Sequence, residues 1–386
     1  LNAALKHYCQ SNHIFLDEEQ QRYVLHCLRL HAWEYGPLSV LLEDPSLEEI
    51  AIAGIGNAFP VRVYVAGEGW KSTPICFTHA QTLITLLNRM ALDSGKRLSS
   101  VTPTLNARLP DGSRLHASIQ PICLHGVEAT IRKFVFRAQA TEQLIDSHII
   151  SPQALAFLIL CMRVDCNVLI VGNTGSGKTT TLNALLGTLS PKERFILVEE
   201  TPELQLQQPH IVRLTPSSGA KIELAELIRE TLRMRPDRMV IGEMRFPEEA
   251  KAWMESVLAG QGKGTYATFH GHSAAEALAR LRQFGILEED LSWTNVIVTQ
   301  KRWTQYDNEK TGKEVRGICE IMEVFLDANG KLKLNPIFEW NEKKQMLQLK
   351  QKSVLVKEKF AWSFPHSQFA REWSALSQEL QKNRLS

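Results

Sequence analysis

The sequence predicts a larger α/β domain built on a mixed or parallel sheet, preceded by a smaller α+β domain. Two observations support this fold class. Five short apolar runs alternate with helical patterns, at residues 168–171, 194–198, 211–214, 238–242 and 264–269. Such alternation is typical of a parallel sheet with helices on both faces. Before residue 137, strands and helices are mixed, and a glycine-rich turn later joins the first of the five runs to a helix.

The first domain is expected to span residues 1–137. Helices are predicted at 17–45, where Asp17 can cap the start, and at 78–93. Residues 45–49 are predicted to begin a short helix, followed by a strand-like run at 50–53. Further strands are predicted within 98–124, around a turn at 109–113, and within 127–136. Because the sequence begins at Leu1 rather than Met, an N-terminal piece is expected to be missing.

Three further segments follow the first domain. Residues 138–149 are polar and are expected to form a linker, and residues 150–340 the second domain. Residues 341–386 carry nine Lys and Arg against four Glu, which predicts a basic helical C-terminal appendage. A solvated helix is the simplest interpretation of this tail, and a contact with anionic lipid or a partner is the alternative.

The composition is that of an ordinary globular protein. The chain has 386 residues, of which 44% are hydrophobic and 22% charged. A net charge of +2 gives no sign of nucleic-acid or membrane binding. The seven cysteines form no CxxC pair, which argues against a zinc site and for reduced thiols in the cytoplasm. No apolar run reaches about 18 residues, so no membrane-spanning helix is expected.

The most informative stretch is the glycine-rich turn between the first strand and its helix. It matches the phosphate-binding pattern G-x-x-x-x-G-K-[ST]. Glycines let the backbone turn tightly and direct its N–H groups at phosphate oxygens, while the helix N-terminus adds partial positive charge. Lys178 is predicted to contact the β- and γ-phosphates, and the Thr179 hydroxyl to ligate Mg²⁺. The predicted binding residues are Gly172, Asn173, Thr174, Gly175, Ser176, Gly177, Lys178, Thr179 and Thr180.

Acidic residues follow two later strands of the second domain. Glu199 and Glu200 come directly after the apolar run at 195–198, at the sheet edge where ligands of α/β proteins bind. These carboxylates are candidates for positioning the attacking water, and Glu200 for holding Mg²⁺. The alternative is a solvated acidic turn. Glu243 follows the run at 239–241 and is predicted to orient or deprotonate the attacking water, with a structural salt bridge as the alternative.

A histidine and two arginines complete the predicted site. His270 ends the β-rich run at 264–269 and is expected to contact the γ-phosphate, although an isolated histidine is more often structural. Phosphoryl transfer needs charge neutralisation, which arginines supply. Arg114 and Arg132 of the first domain would contact the phosphates if that domain covers the nucleotide, and a surface arginine is the alternative for each.

Taken together, these segments resemble the superfamily of type II/type IV secretion ATPases, which drive secretion, type IV pili, conjugation and archaella. The resemblance covers roughly residues 35–340 and rests on highly specific motifs. They are the phosphate loop, the acidic box at 199–203, Leu232–Arg238 with Ile241–Glu243, the histidine box around His270, and 109–114 with 129–134 in the first domain. The stretches 35–38, 44–50 and 268–273 look most like the archaeal pilus and archaellum branch.

The resemblance implies a RecA-like P-loop ATPase that binds ATP and Mg²⁺ and works as a homo-hexameric motor. It implies a cytoplasmic location at the membrane, through a polytopic platform protein of a pilus or secretion machine, and no nucleic-acid partner. A nucleic-acid translocase or helicase and a conjugation ATPase remain alternative functions. Two further hypotheses are a nucleotide-dependent switch that barely hydrolyses ATP and a degenerate structural subunit of a mixed ring.

Overall fold

The chain folds into two compact units, Leu1–Phe136 and Arg137–Ser386. The computed structural model describes residues 2–65, 68–133, 141–217, 221–260, 262–306 and 312–383. Of the predicted linker at 138–149, residues 138–140 lie outside the described residues, and the last residues of the predicted first domain, 134–137, do too. Residues 141–146 of that linker form a helix.

The first unit is an α+β unit with an antiparallel six-stranded sheet in the order β3-β2-β1-β6-β5-β4. Its elements are α1 (Asn2–Ser11), α2 (Glu18–Ala32), α3 (Pro37–Glu43), β1 (Leu47–Ile52), β2 (Arg62–Val65), β3 (Gly69–Ser72), α4 (Ala80–Met90), β4 (Thr104–Arg108), β5 (Arg114–Ile119) and β6 (Val127–Arg132).

Two local predictions for the first unit are wrong. The helix predicted at 17–45 is interrupted, because Gly36 adopts a left-handed φ of 57° and Pro37 then begins a separate helix. The helix predicted from residue 45 is absent from the described residues. Leu47 instead begins β1, whose Leu47, Ile50 and Ile52 enter the core while the strand pairs with β2 and β6.

The second unit contains a nine-stranded mixed sheet in the order β15-β14-β13-β12-β7-β11-β10-β8-β9. Its elements are α5 (Thr141–Asp146), α6 (Pro152–Arg163), β7 (Val168–Gly172), α7 (Lys178–Leu186), β8 (Phe195–Val198), β9 (Ile211–Leu214), α8 (Leu224–Glu230), β10 (Arg238–Met244), α9 (Pro247–Ala259), β11 (Thr265–His270), α10 (Ala274–Gln283), α11 (Glu288–Leu291), β12 (Val296–Tyr306), β13 (Gly312–Leu326), β14 (Leu332–Asn341), β15 (Met346–Leu349), α12 (Leu355–Ser363) and α13 (Phe369–Asn383).

Helices cover both faces of this sheet. Along β7, Val168 and Ile170 belong to one hydrophobic cluster, and Leu169 and Val171 to another. Successive strand residues point to opposite faces, so the two clusters lie on the two sides of the sheet. The first cluster includes α6, α7, α12 and α13, and the second includes α8, α9 and α10.

The parallel part of the sheet gathers the ends of several strands at one edge. β9, β8, β10, β11, β7 and β12 run parallel, and β13 to β15 add antiparallel strands beside β12. The five apolar runs of the sequence correspond to β7 to β11. Because parallel strands end at the same edge, the loops after β7, β8, β10 and β11 lie together there.

The residues after 340, for which the sequence predicts a basic helical appendage, are a strand and two helices of the second unit. β15 pairs with β14, and Val356, Phe360 and Leu380 enter the same hydrophobic cluster as α6. Trp373 packs against Phe157 of α6, with ring centroids 5.4 Å apart. Within the described residues, no helix is both long and apolar enough to cross a membrane.

Candidate functional site

The glycine-rich segment forms a loop between a buried strand and the start of a helix. β7 is buried along its whole length, and α7 begins at Lys178. Gly175 and Gly177 adopt left-handed φ angles of 72° and 94°. Residues with side chains seldom adopt this conformation, which turns the backbone sharply before the helix. The segment therefore has the strand, loop and helix order that phosphate binding requires.

Lys178 points back into this loop. Its side chain is only 6% exposed, and its ammonium nitrogen lies 3.2 Å from the Gly172 carbonyl oxygen and 3.4 Å from that of Asn173. The same nitrogen lies 3.8 Å from Glu243 Oε1. The fold thus brings together a lysine after β7 and an acid near the end of β10, which are 65 positions apart in the sequence.

Glu243 is surrounded by cationic and imidazole groups. His270 Nε2 lies 2.9 Å from its Oε1, and Arg245 Nε donates to its Oε2 at 2.8 Å. Burial disfavours the charged carboxylate, but His270, Arg245 and Lys178 outweigh that effect. The pKa of Glu243 therefore lies below its ordinary value. The carboxylate is therefore ionised at neutral pH, as a group that accepts a proton must be.

His270 lies at the end of β11, directly beside the first glycine of the loop. Its register partner on β7 is Gly172. Burial lowers the pKa of His270, and the positive charge of Lys178 lowers it further. Arg280 donates a hydrogen bond to the His270 carbonyl oxygen and stacks on the Phe269 ring at 4.8 Å, which fixes the strand end.

The two acids after β8 take different positions. Glu199 is 2% exposed, and its Oε1 accepts the N–H groups of Glu203 and Leu204 at 2.8 and 3.0 Å. Burial raises the pKa of Glu199. The two hydrogen bonds from Glu203 and Leu204 to its carboxylate hold the turn that follows β8. Glu200 is exposed, and its Oε2 lies 2.5 Å from Arg245, the same arginine that contacts Glu243.

Arg245 therefore contacts both Glu200 and Glu243, whereas Glu199 belongs to the turn after β8. Gly242 allows β10 to pass close to Glu199, because a Cβ at residue 242 would lie 2.9 Å from Glu199 Cγ. No group of three or more His, Cys, Asp or Glu side chains among the described residues has the arrangement of a metal centre.

Arg114 and Arg132 lie in the first unit, on adjacent strands. Arg114 begins β5, Arg132 ends β6, and the two are direct register partners. Arg108 of β4 pairs in turn with Arg114. Three arginines therefore follow one another across three neighbouring strands, and Glu49 of β1 is in turn the register partner of Arg132. Opposed like charges destabilise a sheet, and this acid offsets part of the positive charge of the row.

The sequence interpretation missed Gln300 and Arg302 of β12. Gln300 is fully buried beside the loop, and the Asn173 side chain bonds to both the N–H and the carbonyl oxygen of Arg302, at 2.9 Å each. The sequence offered one indication of a functional position here: the polar residue Gln300 follows closely after the apolar run 296–298. The periodicity of β12 gave no indication that this part of the strand lies beside β7.

Comparisons with known proteins identify the kind of chain to which this geometry belongs. A model of the family described as type II/IV secretion system protein matches residues 36–334. An uncharacterized protein of Methanocaldococcus jannaschii is 28% identical over 338 residues, which are 86% of this chain and 60% of that protein. The chain thus spans about 60% of the length of that relative.

Two further proteins are similar over most of their length. The type IV secretion system protein VirB11 of Bartonella henselae is 30% identical over 293 residues, covering 66% of this chain and 80% of VirB11. The crystal structure of the pilus retraction motor PilT with bound ADP is 18% identical, covers 87% of this chain and 90% of PilT, and has a TM-score of 0.53. The shared fold confirms the predicted RecA-like α/β domain preceded by a smaller α+β domain.

Proposed function

The chain belongs to the family of type II/IV secretion system proteins, and from this premise we propose that it is an ATP-hydrolysing motor. The motor powers the assembly or retraction of type IV pilus-like filaments, or secretion across the cell envelope. One observation carries the proposal: the Glu243 carboxylate lies within 2.9 Å of His270 and 3.8 Å of the buried ammonium group of Lys178. A phosphate-binding cation and an ionised acid therefore meet at one sheet edge.

The loop fits the phosphate chain of a nucleotide. A Cβ on Gly172 would lie 2.1 Å from the Gln300 carbonyl oxygen, and Gly177 has a left-handed φ of 94°, so both positions favour glycine, which adds no side chain to the loop. Ser176 Oγ is buried and makes no hydrogen bond in the described part of the chain. In the proposal, residues 172–180 bind ATP, with Lys178 neutralising the β- and γ-phosphates.

Each remaining residue has a proposed role. Thr179 and Glu200 hold Mg²⁺, which would neutralise charge on the phosphate oxygens when bound. Glu243 orients and deprotonates the attacking water, and His270 holds the Glu243 carboxylate and contacts the γ-phosphate. Arg114 and Arg132, paired at one end of their strands in the first unit, neutralise phosphate charge. Glu199, held in its turn, shapes the loop that carries Glu200.

The proposed assembly is a homo-hexamer at the cytoplasmic face of a membrane. It transmits its motion to a polytopic platform protein of a pilus or secretion machine and has no nucleic-acid partner. The names of the relatives, a type IV secretion protein and a pilus retraction motor, support a motor of this class. Native mass spectrometry with ATP is expected to give six times the 43.6 kDa mass of the chain. A stable monomer under all nucleotide conditions contradicts the hexamer.

Two substitutions separate binding from hydrolysis. Glu243→Gln is expected to retain ATP binding and to lose hydrolysis by about 100-fold or more, since the amide cannot act as a base. Lys178→Ala is expected to weaken nucleotide binding itself, by at least about tenfold. The measurements are the affinity for a fluorescent ATP analogue and steady-state phosphate release.

A matched control is available in the same unit. Glu288→Gln makes the same chemical change in an exposed carboxylate that pairs with Arg282 on α10, and it should leave both measurements at the wild-type value. Turnover by Glu243→Gln within a few-fold of wild type rejects Glu243 as the base. Strong stimulation of hydrolysis by DNA would support the alternative nucleic-acid translocase.

A further inference from the structure

Gln300 ties the phosphate loop to the helix that follows it. The side chain is fully buried in β12, and both ends of its amide are used. Its Nε2 donates to the Ser176 carbonyl oxygen at 2.7 Å, and its Oε1 accepts the Thr181 hydroxyl at 2.8 Å. One side chain therefore links the loop backbone to the first turn of α7.

The same residue stands against the first and last glycines of the loop motif. A Cβ on Gly172 would lie 2.1 Å from the Gln300 carbonyl oxygen, and a Cβ on Gly177 would lie 3.0 Å from its Nε2. Gly172 and Gln300 are also register partners in the parallel pair of β7 and β12. The glycines at the two ends of the motif thus leave the space that Gln300 occupies.

A second contact from β12 holds the beginning of the loop. The Asn173 side chain is bonded to the main chain of Arg302, two residues beyond Gln300. Between these two anchors, Gly175 has a left-handed φ angle and belongs to no helix or strand. Within the segment, the Ser176 N–H donates to the Asn173 carbonyl oxygen at 3.2 Å, and the contacts from β12 hold the loop from outside in addition.

We propose that Gln300 is a positioning residue of the nucleotide site, which holds the phosphate loop in its binding shape before nucleotide arrives. The inference rests on the proposed function, because it assumes that the loop binds a nucleoside triphosphate or diphosphate. A preformed loop binds more tightly, because less conformational freedom is lost on binding. Gln300 acts through the Ser176 carbonyl group and the Thr181 hydroxyl.

The test replaces Gln300 by leucine, which has a similar size but makes no hydrogen bonds. The buried Ser176 carbonyl and Thr181 hydroxyl then lose their partner. The affinities for fluorescent ADP and for an ATP analogue are both expected to fall about tenfold. Loss of binding shared by the ground state and the transition state raises KM more than it lowers kcat, so KM should rise about tenfold with kcat nearly unchanged.

Asn295→Leu is the matched control. Asn295 is also buried and directly precedes β12, where its amide oxygen accepts the Asn167 N–H at 2.9 Å. Its loss should lower the melting temperature and leave nucleotide affinity and KM at the wild-type value. A similar result for Gln300→Leu, with lower melting temperature and unchanged affinity, assigns Gln300 a merely structural role and overturns the proposal.

Variants at Thr181 keep the proposal testable if Gln300→Leu does not fold. Thr181→Val removes only the hydroxyl bonded to Gln300 and should weaken ADP binding about threefold, whereas Thr181→Ser keeps the hydroxyl and should bind as wild type. Equal ADP affinity of the Val and Ser variants overturns the inference. If the wild-type chain itself binds no ADP or ATP, the proposed function fails and this inference with it; normal binding by wild type and Gln300→Leu alike rejects the inference alone.

Discussion

His270 Nε2 and Glu243 Oε1 lie 2.9 Å apart, although the two residues are on different strands, β11 and β10. The contact brings together an acid and a titratable ring beside the ammonium group of Lys178. The pKa of each is lowered, that of His270 by burial and nearby cations, and that of Glu243 by the neighbouring positive groups that outweigh its burial. At neutral pH the pair therefore consists of a carboxylate and a neutral imidazole.

This pair makes stability fall on acidification. The folded-state pKa of His270 lies below its value of 6.5 in the unfolded chain, so between these two values the unfolded state binds more protons. The free energy of unfolding must then decrease as the pH falls below about 6.5. Glu243 adds to this loss at lower pH, between 4.5 and its own depressed pKa.

The measurement is the free energy of unfolding in urea from pH 7.5 to 5, for wild type and for His270→Gln, a window that includes the ordinary histidine pKa of about 6.5. The substitution removes the histidine's contribution, so the variant should lose less stability over this range. His79→Gln is the control, since that histidine lies in the other unit, before α4. Identical pH slopes for wild type and His270→Gln would contradict the depressed pKa.

A methyl group on Gly172 should disrupt the loop. Gly172→Ala places a Cβ 2.1 Å from the Gln300 carbonyl oxygen, and neither strand backbone can move without breaking its pairing. A loss of about 1–3 kcal/mol of unfolding free energy is expected from overpacking, with loss of ADP binding. Thermal or urea unfolding and ADP titration measure the two effects.

Gly187→Ala serves as the comparison at the other end of α7. Gly187 has an ordinary helical φ of −61°, and the nearest atoms to an added Cβ lie at 3.4 and 3.6 Å. It should be neutral or stabilise the fold by up to about 1 kcal/mol, because alanine restricts the unfolded chain. Equal tolerance of alanine at both glycines would show that the loop can move away from β12.

Arg238 is expected to be important for stability rather than catalysis. It is buried, and its guanidinium bonds to Glu193 at 2.9 Å, to the Met162 carbonyl at 2.9 Å and to the Tyr266 hydroxyl at 2.7 Å. Arg238→Met leaves the largely buried Glu193 carboxylate with less compensation and should cost about 3–5 kcal/mol. Urea unfolding measures this cost.

The folded fraction of Arg238→Met should hydrolyse ATP at the wild-type kcat, because Arg238 begins β10 whereas Glu243 lies near its other end. Arg233→Met is the exposed counterpart, with its side chain 76% exposed beside Glu230, and should change stability by less than about 1 kcal/mol. A large fall in kcat for folded Arg238→Met would contradict the structural role.

Glu323 is expected to hold the C-terminal segment that begins α12 against the sheet. It is fully buried in β13, where its carboxylate accepts the Ser353 hydroxyl and the N–H groups of Val354 and Val356, the latter two at 3.1 and 3.3 Å. Glu323→Leu leaves these donors unsatisfied and should destabilise the second unit by about 1–3 kcal/mol per lost partner. Residues 350–383 should then be cleaved faster by trypsin.

The control for this substitution is Glu339→Leu on the neighbouring strand β14. Glu339 is partly exposed, and its contact with Lys350 is long, at 3.8 Å, so little stability should be lost. Equal trypsin rates for wild type and Glu323→Leu would show that the tail does not depend on Glu323 for its attachment.

The parallel strands β7 to β11, and the sheet edge at which their candidate site residues lie, could be predicted from the sequence. Apolar runs of four to six residues alternate with helical patterns, which leaves few arrangements for β7 to β11, although among the described residues no helix lies between β8 and β9. The glycine pattern with Lys178 depends on local backbone geometry, which a short segment of sequence can predict. Glu243 and His270 were predicted in a similar way, because each follows an apolar run that indicates a buried strand.

The sequence did not determine which side chains contact one another, and only the tertiary structure shows it. Glu199 and Glu200 are neighbours in sequence, yet one is buried against its own turn and the other reaches Arg245, because successive residues leave a strand end in opposite directions. Gln300 is 128 residues from Gly172 and comes beside it only when β12 pairs with β7. The partners of a side chain across a sheet depend on strand order and register. The local sequence of a strand predicts neither, because both depend on which distant strand pairs with it.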